Sequence, residues 1–329
     1  MQAQIAFFAA KIGTKDCFLA KNGGLEALMA HSWAGLPGLT SQALTRARLD
    51  STREAGIWCM GGHRSGLDGY KQGPTMLTDT QKHQFETLGF LRLRQLIPPD
   101  QMATYVDAFD ETMLKGNGGV PYVEAPKRQD VVPFYRNNPA VYHRLLDHDG
   151  IYEVVEDLVG EDFIFSVSEG CQHYGGTRWH HDSVSPEDQT HLKVVLYLDP
   201  VRADSGCLSV LPGSQFAAFR KRIDRYGDDI LSLGKGVPGT YPIESDPGDA
   251  VVFNIKLHHA AFGDNPRRGI YLNFIQKPRS SDEEDYIVNL YQSDASHGWV
   301  YYTRELFEDA SPKRMRMLAF LKQRCYDGA

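Results

Sequence analysis

The chain has 329 residues, of which 42% are hydrophobic and 23% charged, with a formal net charge of -7. That length can bury a large core, as one elaborated domain or two small ones. The acidic balance argues against nucleic acid or an anionic membrane surface as a partner, and no stretch approaches the roughly 20 apolar residues that span a bilayer. The longest N-terminal apolar run, Ile5 to Ala10, is too short for a secretory signal and lacks a basic leader. The five cysteines, at positions 17, 59, 171, 207 and 325, are odd in number and show no Cys-x-x-Cys spacing. They read as reduced, mostly buried thiols of a cytoplasmic protein.

In chain order, residues 1–75 mix short apolar patches with a glycine-rich stretch, Gly61 to Gly69, that reads as loop and lacks the Gly-x-x-x-x-Gly-Lys-Ser/Thr pattern of a phosphate cradle. From Thr78 to about Gly160 helices dominate. Thr78 and Gln81 suit a capping box, and Pro98-Pro99-Asp100-Gln101 opens a second helix with apolar positions Met102, Val106 and Phe109. Residues 161–280 are strand-rich. Short apolar runs beginning at Phe163, Val194, Leu208 and Val251 are separated by Pro/Gly/Asp/Ser turns, the pattern of a two-sheet jelly roll or barrel, and several gaps are too short for the helices of a parallel fold. The remainder opens with the acidic run Asp282 to Asp285, whose charges read as a solvated face, and closes with a helix over Ser311 to Lys322.

Two histidine pairs carry the chemistry. Trp179-His180-His181-Asp182 reads as extended, and side chains two apart on a strand share a face, so His180 and Asp182 can share a metal while His181 points away. The second pair ends the run Ala250 to His259, read as one strand. Val251, Phe253, Ile255, Leu257 and His259 then face inward, with Asn254, Lys256 and His258 on the wetter face. Two imidazoles and one carboxylate hold a divalent iron by one face and leave the opposite positions open. His181 and His258, on the far face, read as structural residues or as lining for a substrate cavity. Farther on, Arg267 and Arg268 precede another strand, and an arginine there can grip a carboxylate bidentately.

From Gly170 to Gln276 the chain resembles the phytanoyl-CoA dioxygenase family of iron(II)- and 2-oxoglutarate-dependent oxygenases. The resemblance rests on Trp-His-His-Asp at 179–182, Leu-Lys-Val-Val-Leu-Tyr-Leu-Asp at 192–199 and Ser-Gly-Cys-Leu-Ser-Val-Leu-Pro-Gly-Ser at 205–214. It continues through Pro-Gly-Asp at 247–249, His-Ala-Ala-Phe-Gly at 259–263 and Arg267-Arg268, with a fainter match over Leu77 to Phe90. It implies a mainly β fold with flanking helices around a double-stranded β-helix (jelly-roll, cupin-like) core. A single oxygenase domain then occupies 76–329, with helical support over 76–160, the jelly roll over 161–280 and a helical segment over 281–329, after an extension over 1–75 that matches nothing in the family. The implied iron ligands are His180, Asp182 and His259; the implied co-substrates are 2-oxoglutarate and O2. The expected reaction is hydroxylation of an unactivated C–H bond of a small-molecule metabolite, releasing succinate and CO2. The family's arginine for the 5-carboxylate of 2-oxoglutarate is placed at Arg267, because a basic and then a small residue follow it, although strand alternation leaves Arg268 open.

Asp182 stands where related halogenases have glycine or alanine, which favours hydroxylation or a derived outcome such as desaturation. Gln215 replaces a frequent histidine, and Ala260-Ala261 replace a frequent Gly-Ser, removing one hydroxyl expected to bond 2-oxoglutarate. Lys193, Val195 and Tyr197 share a strand face that borders the cofactor if it is the inner one. Trp179 reads as pocket wall or as core, and Arg220, Lys221, Arg222 and Arg225 as a solvated helix face rather than a contact for an anionic substrate. Specificity is expected from 1–75, 181–190 and 216–241. A zinc or manganese isomerase or hydrolase acting by Lewis-acid chemistry, or a silent jelly roll binding a small acid, is the alternative; neither needs the trailing arginine.

Overall fold

The computed structural model describes residues 77–121, 128–182, 185–225, 227–296 and 301–326. The extension expected over 1–75, with its glycine-rich stretch, Cys17 and Cys59, lies outside them.

Two antiparallel sheets form the centre, consistent with a jelly roll. The larger has the order β1 (Phe90–Leu93), β8 (Ala250–Asn254), β5 (His191–Tyr197), β10 (Arg267–Ile275), β3 (Ile164–His173) and β2 (Arg128–Val131). The smaller runs β4 (Thr177–His180), β9 (His259–Ala261), β6 (Leu208–Val210), β7 (Tyr241–Ile243). The helices are α1 (Asp79–Leu88), α2 (Pro99–Gly116), α3 (Pro139–Leu146), α4 (Asp149–Val159), α5 (Ala217–Arg225), α6 (Gly227–Leu231), α7 (Ser281–Ser296), α8 (Arg304–Phe307) and α9 (Pro312–Arg324).

Local chemistry sets the helix ends. Thr78 and Gln81 form a reciprocal capping box on α1, satisfying donors that a helix start leaves unpaired. Pro99 occupies the first turn of α2, where its missing N–H costs nothing, and Met102, Tyr105, Phe109 and Met113 give that helix its buried stripe. Ser311 caps α9 through Arg314 N. The acidic residues of α7 lie in its first turn, where carboxylates meet the positive end of the helix dipole. Glu283 departs from the solvated-face expectation: it is buried and grips the Arg279 guanidinium at 2.9 Å.

Burial divides into three layers. One face of the six-stranded sheet packs against helices through Phe165, Leu196, Leu272 and Phe274, with Phe109, Val155 and Leu318. Between the sheets lie Val195, Tyr197, Val210, Val251, Phe253, Ile255 and Leu257. A third cluster, Trp179, Leu211, Ile223, Val237 and Ala260, joins the smaller sheet to α5.

The single strand expected over 250–259 is not formed. β8 stops at Asn254, the chain turns with Leu257 N donating to Asn254 O at 2.9 Å, and β9 begins at His259 in the other sheet. Lys256 and His258 are buried rather than wet, because the crossing segment is covered on that side too. The Lys256 ammonium donates to the carbonyls of Pro186, Glu187 and Gln189. β2 and β7, short edge strands, lay outside the apolar runs read from the sequence.

Candidate active site

β4 and β9 pair antiparallel with His180 opposite His259, so both rings project from the same face of the small sheet into the space between the sheets. The ring centroids are 4.3 Å apart. Asp182 stands just past the end of β4, held there by its N–H donating to the Ile255 carbonyl at 2.9 Å. Its Oδ1 lies 3.4 Å from His180 Nε2 and 3.7 Å from His259 Nε2, and the three donor atoms fall within 4.8 Å of one another.

Both imidazoles are oriented by backbone carbonyls. His180 Nδ1 lies 2.7 Å from Arg178 O and His259 Nδ1 2.9 Å from Leu257 O. A carbonyl only accepts, so each Nδ1 carries the proton and each Nε2 presents its lone pair, which is how metal-binding histidines are usually fixed. Burial holds His259 low, at about 3, so its ring is neutral. Desolvation would raise the Asp182 carboxyl, but the charge of Lys193 foremost outweighs it and holds the group well below the usual range. Lys193 Nζ reaches Asp182 Oδ2 at 3.0 Å and Glu169 Oε1 at 3.7 Å. Burial opposes its charge, yet the two carboxylates outweigh that and keep it protonated.

Arg267 opens β10 opposite His173 of β3 and is 4% exposed. Its guanidinium donates to Gly175 O at 2.8 Å and to His173 Nδ1 at 3.0 Å. Burial, then the charges of Arg267 and Arg128, lower His173 to about 4, leaving a neutral ring able to accept. Gly206 makes room: its φ is +95°, and a Cβ there would lie 2.8 Å from Arg267 Nη1. Arg268 turns to the other face, pairing with Asp199 at 2.8 Å and Asp110 at 3.2 Å. The triad and Arg267 line one cavity, together with Thr177, Lys193, Tyr197, Phe253, Ala261 and Tyr271.

The remaining expectations divide. Lys193 and Tyr197 do line the cavity, with Val195 in the inter-sheet core. Trp179 is core on the opposite side of the small sheet, its indole N–H donating to Gly234 O at 2.9 Å. Arg220 is committed to Glu187 and the Gln215 carbonyl, while Lys221, Arg222 and Arg225 are exposed. Gln215 is buried and donates to the carbonyls of Glu86 and Thr87. His181 and His258 face away from the cavity, beside Asp224. Sequence reasoning missed Arg128, Cys171 and His173, which also line the cavity. The signal was the period of two along β3, where Glu169, Cys171 and His173 lie opposite Tyr271, Gly269 and Arg267.

The model of the phytanoyl-CoA dioxygenase (PhyH) family matches residues 85–269. The chain belongs to that family. Among solved structures, SnoK from nogalamycin biosynthesis, described as a non-heme α-ketoglutarate-dependent carbocyclase, is 17% identical with a TM-score of 0.50 over 61% of this chain and 84% of that one. HygX from Streptomyces hygroscopicus, solved with nickel and 2-oxoglutarate bound, is 19% identical with a TM-score of 0.49 over 60% of this chain and 87% of that one. EvdO2 from Micromonospora carbonacea var. aurantiaca, complexed with 2-oxoglutarate, is 21% identical with a TM-score of 0.48 over 62% of this chain and 93% of that one. At 17% identity the likeness to SnoK is one of fold alone. A comparison with curated proteins found no match.

Proposed function

We propose that this member of the phytanoyl-CoA dioxygenase family is an iron(II)- and 2-oxoglutarate-dependent oxygenase that hydroxylates an unactivated C–H bond of a small-molecule metabolite, releasing succinate and CO2. The observation that carries the reading is a cavity lined by both a two-histidine, one-carboxylate cluster and a buried arginine. In it His180, Asp182 and His259 would hold iron, and Arg267 would meet the 5-carboxylate of 2-oxoglutarate. Family membership and the donor set support that pairing. The two sheets around it are read as a double-stranded β-helix, with 76–329 as one oxygenase domain and 1–75 as an extension to it.

Iron and 2-oxoglutarate, when bound, supply the oxidising power drawn from O2. The chain's own work is positional. His180 and His259 present Nε2 because their Nδ1 protons are held by carbonyls, and Lys193 fixes the second carboxylate oxygen of Asp182. His173 and Gly175 aim the Arg267 guanidinium, so little is lost in ordering it when a carboxylate arrives. The hydroxyl absent at Ala261 has a substitute, since Thr177 Oγ1 accepts from Ala261 N at 2.9 Å on the cavity wall and keeps its own proton to donate. Tyr197, Phe253 and Tyr271 supply an apolar lining that keeps water from the reacting centre. Asp182 fills the third protein position and favours oxygenation over halogenation.

The test is succinate release. With iron(II), O2 and substrate, succinate should form about one-for-one with oxygen consumed, independent of chloride, and zinc, which has no redox chemistry, should inhibit. Activity with zinc and without O2 or 2-oxoglutarate would instead establish a Lewis-acid isomerase or hydrolase, a reading that leaves the buried Arg267 without a task.

A further inference from the structure

Pleating sends successive residues of a strand to opposite faces. The pairing that turns His180 and His259 into the cavity therefore turns the adjoining residues, His181 and His258, to the outer face of the small sheet. Their rings lie 5.2 Å apart in an edge-to-face contact. There α5 supplies a carboxylate, with Asp224 Oδ1 3.1 Å from His258 Nε2. The donor atoms of His181, Asp224 and His258 fall within 4.8 Å of one another, the same bound that the inner cluster meets.

Burial grades across this cluster as it does in a site open on one side. His258 is 2% exposed, His181 half-buried and the Asp224 side chain 48% exposed. His258 Nε2, the ring nitrogen that meets Asp224 at 3.1 Å, is the one turned to the cluster, and it would face an ion shared with that carboxylate. A second imidazole beside the same carboxylate is more than a simple histidine–aspartate pair requires.

We propose that His181, His258 and Asp224 form a second divalent transition-metal site, on the face of the sheet opposite the catalytic cluster. Two imidazoles and one carboxylate, with solvent completing the shell, suit zinc and the neighbouring divalent ions cobalt, nickel and copper. The ion would tie α5, through Asp224, to the end of β4 and the start of β9, because His181 lies between His180 and Asp182 and His258 adjoins His259. This inference rests on the outer residues alone and not on the reaction proposed for the inner ones.

Cobalt(II) binding to the full chain, freed of metal and titrated anaerobically by its visible absorption and by elemental analysis, tests it. Asp224→Asn keeps the size of a half-exposed side chain, and His181→Gln is a second variant at a half-buried one. Each should bind one equivalent fewer than wild type, with upwards of about 100-fold weaker affinity at that site, more than the loss of an outer-sphere partner brings. Asp182→Ala should lose a different equivalent, and Asp182→Ala/Asp224→Asn should lose both. An isotherm for Asp224→Asn and His181→Gln that superimposes on wild type would overturn the proposal, as would loss of both equivalents in Asp182→Ala alone. The readout is bound cobalt, so a failure of the oxygenase reading leaves it unaffected.

Discussion

The two faces of the β4–β9 pair present nearly the same donors to different surroundings. On the inner face, two imidazoles and Asp182 sit with Lys193 and Arg267 in a cavity between sheets, each Nδ1 held by a carbonyl. On the outer face, two imidazoles sit under α5, which supplies Asp224 with its carboxylate open to solvent. The donor set alone therefore does not define an oxygenase site. What distinguishes the inner cluster is the preset tautomers and a buried cation in reach of the same cavity, the features on which the proposed oxygenase reading rests.

The largest expected contrast is between neighbours in sequence. Asp182→Ala or His259→Ala should lower turnover by about 1,000-fold or more, since each removes one of the three proposed iron ligands, while His181→Ala should stay within a few-fold at saturating iron. Equal losses at 181 and 182 would erase the distinction between the faces. Next comes the arginine pair. Arg267→Ala should raise the 2-oxoglutarate KM by at least about 30-fold, from the 2–5 kcal/mol that a buried charge-assisted contact carries, with iron affinity nearly unchanged. Arg268→Ala should leave that KM within about 3-fold, because Arg268 is spent on Asp199 and Asp110. A swap of the two phenotypes would put the wrong arginine in the cavity.

Smaller effects sharpen the same contrast. Gly206→Ala should raise the 2-oxoglutarate KM by about 10-fold, because the methyl meets Arg267 Nη1 and the positive φ strains the backbone; an unchanged KM would show that the guanidinium need not sit there. Away from both faces, burial and then the charge of Arg314 lower His143 to about 4 from its ordinary 6.5. The unfolded chain binds that proton first, so folding stability should fall as pH drops from about 6.5 toward 4, by on the order of 1 kcal/mol. Chemical denaturation across that range should show a shallower slope for His143→Gln.

How much of this was legible depended on whether both faces of a strand are buried. His180 and Asp182 were readable because the period of two and a known motif agree. Arg267 against Arg268 was not, since Ile270, Leu272 and Phe274 point to the helix-packed core and Tyr271 to the cavity, and a strand covered on both sides shows little polar alternation. The crossing at Ile255 to His258 hid for a related reason. Ile255 and Leu257 belong to the same inter-sheet cluster as Val251 and Phe253, so the apolar rhythm runs on through a turn that changes sheets. The facing of His259 came out as expected, although the continuous strand used to argue it does not exist. Arg128, a polar edge-strand residue, and His173, at the far end of a long strand, carried no local apolar signal and needed the register between strands to be found.

The most direct test of the oxygenase account is optical. Anaerobic addition of iron(II) and then 2-oxoglutarate to the metal-free chain should give a weak visible charge-transfer band, since the chelate forms only where metal and keto acid meet. The band should be abolished in His259→Ala and retained in Asp224→Asn. Its absence from wild type at saturating iron and 2-oxoglutarate, with the protein folded, would contradict the account.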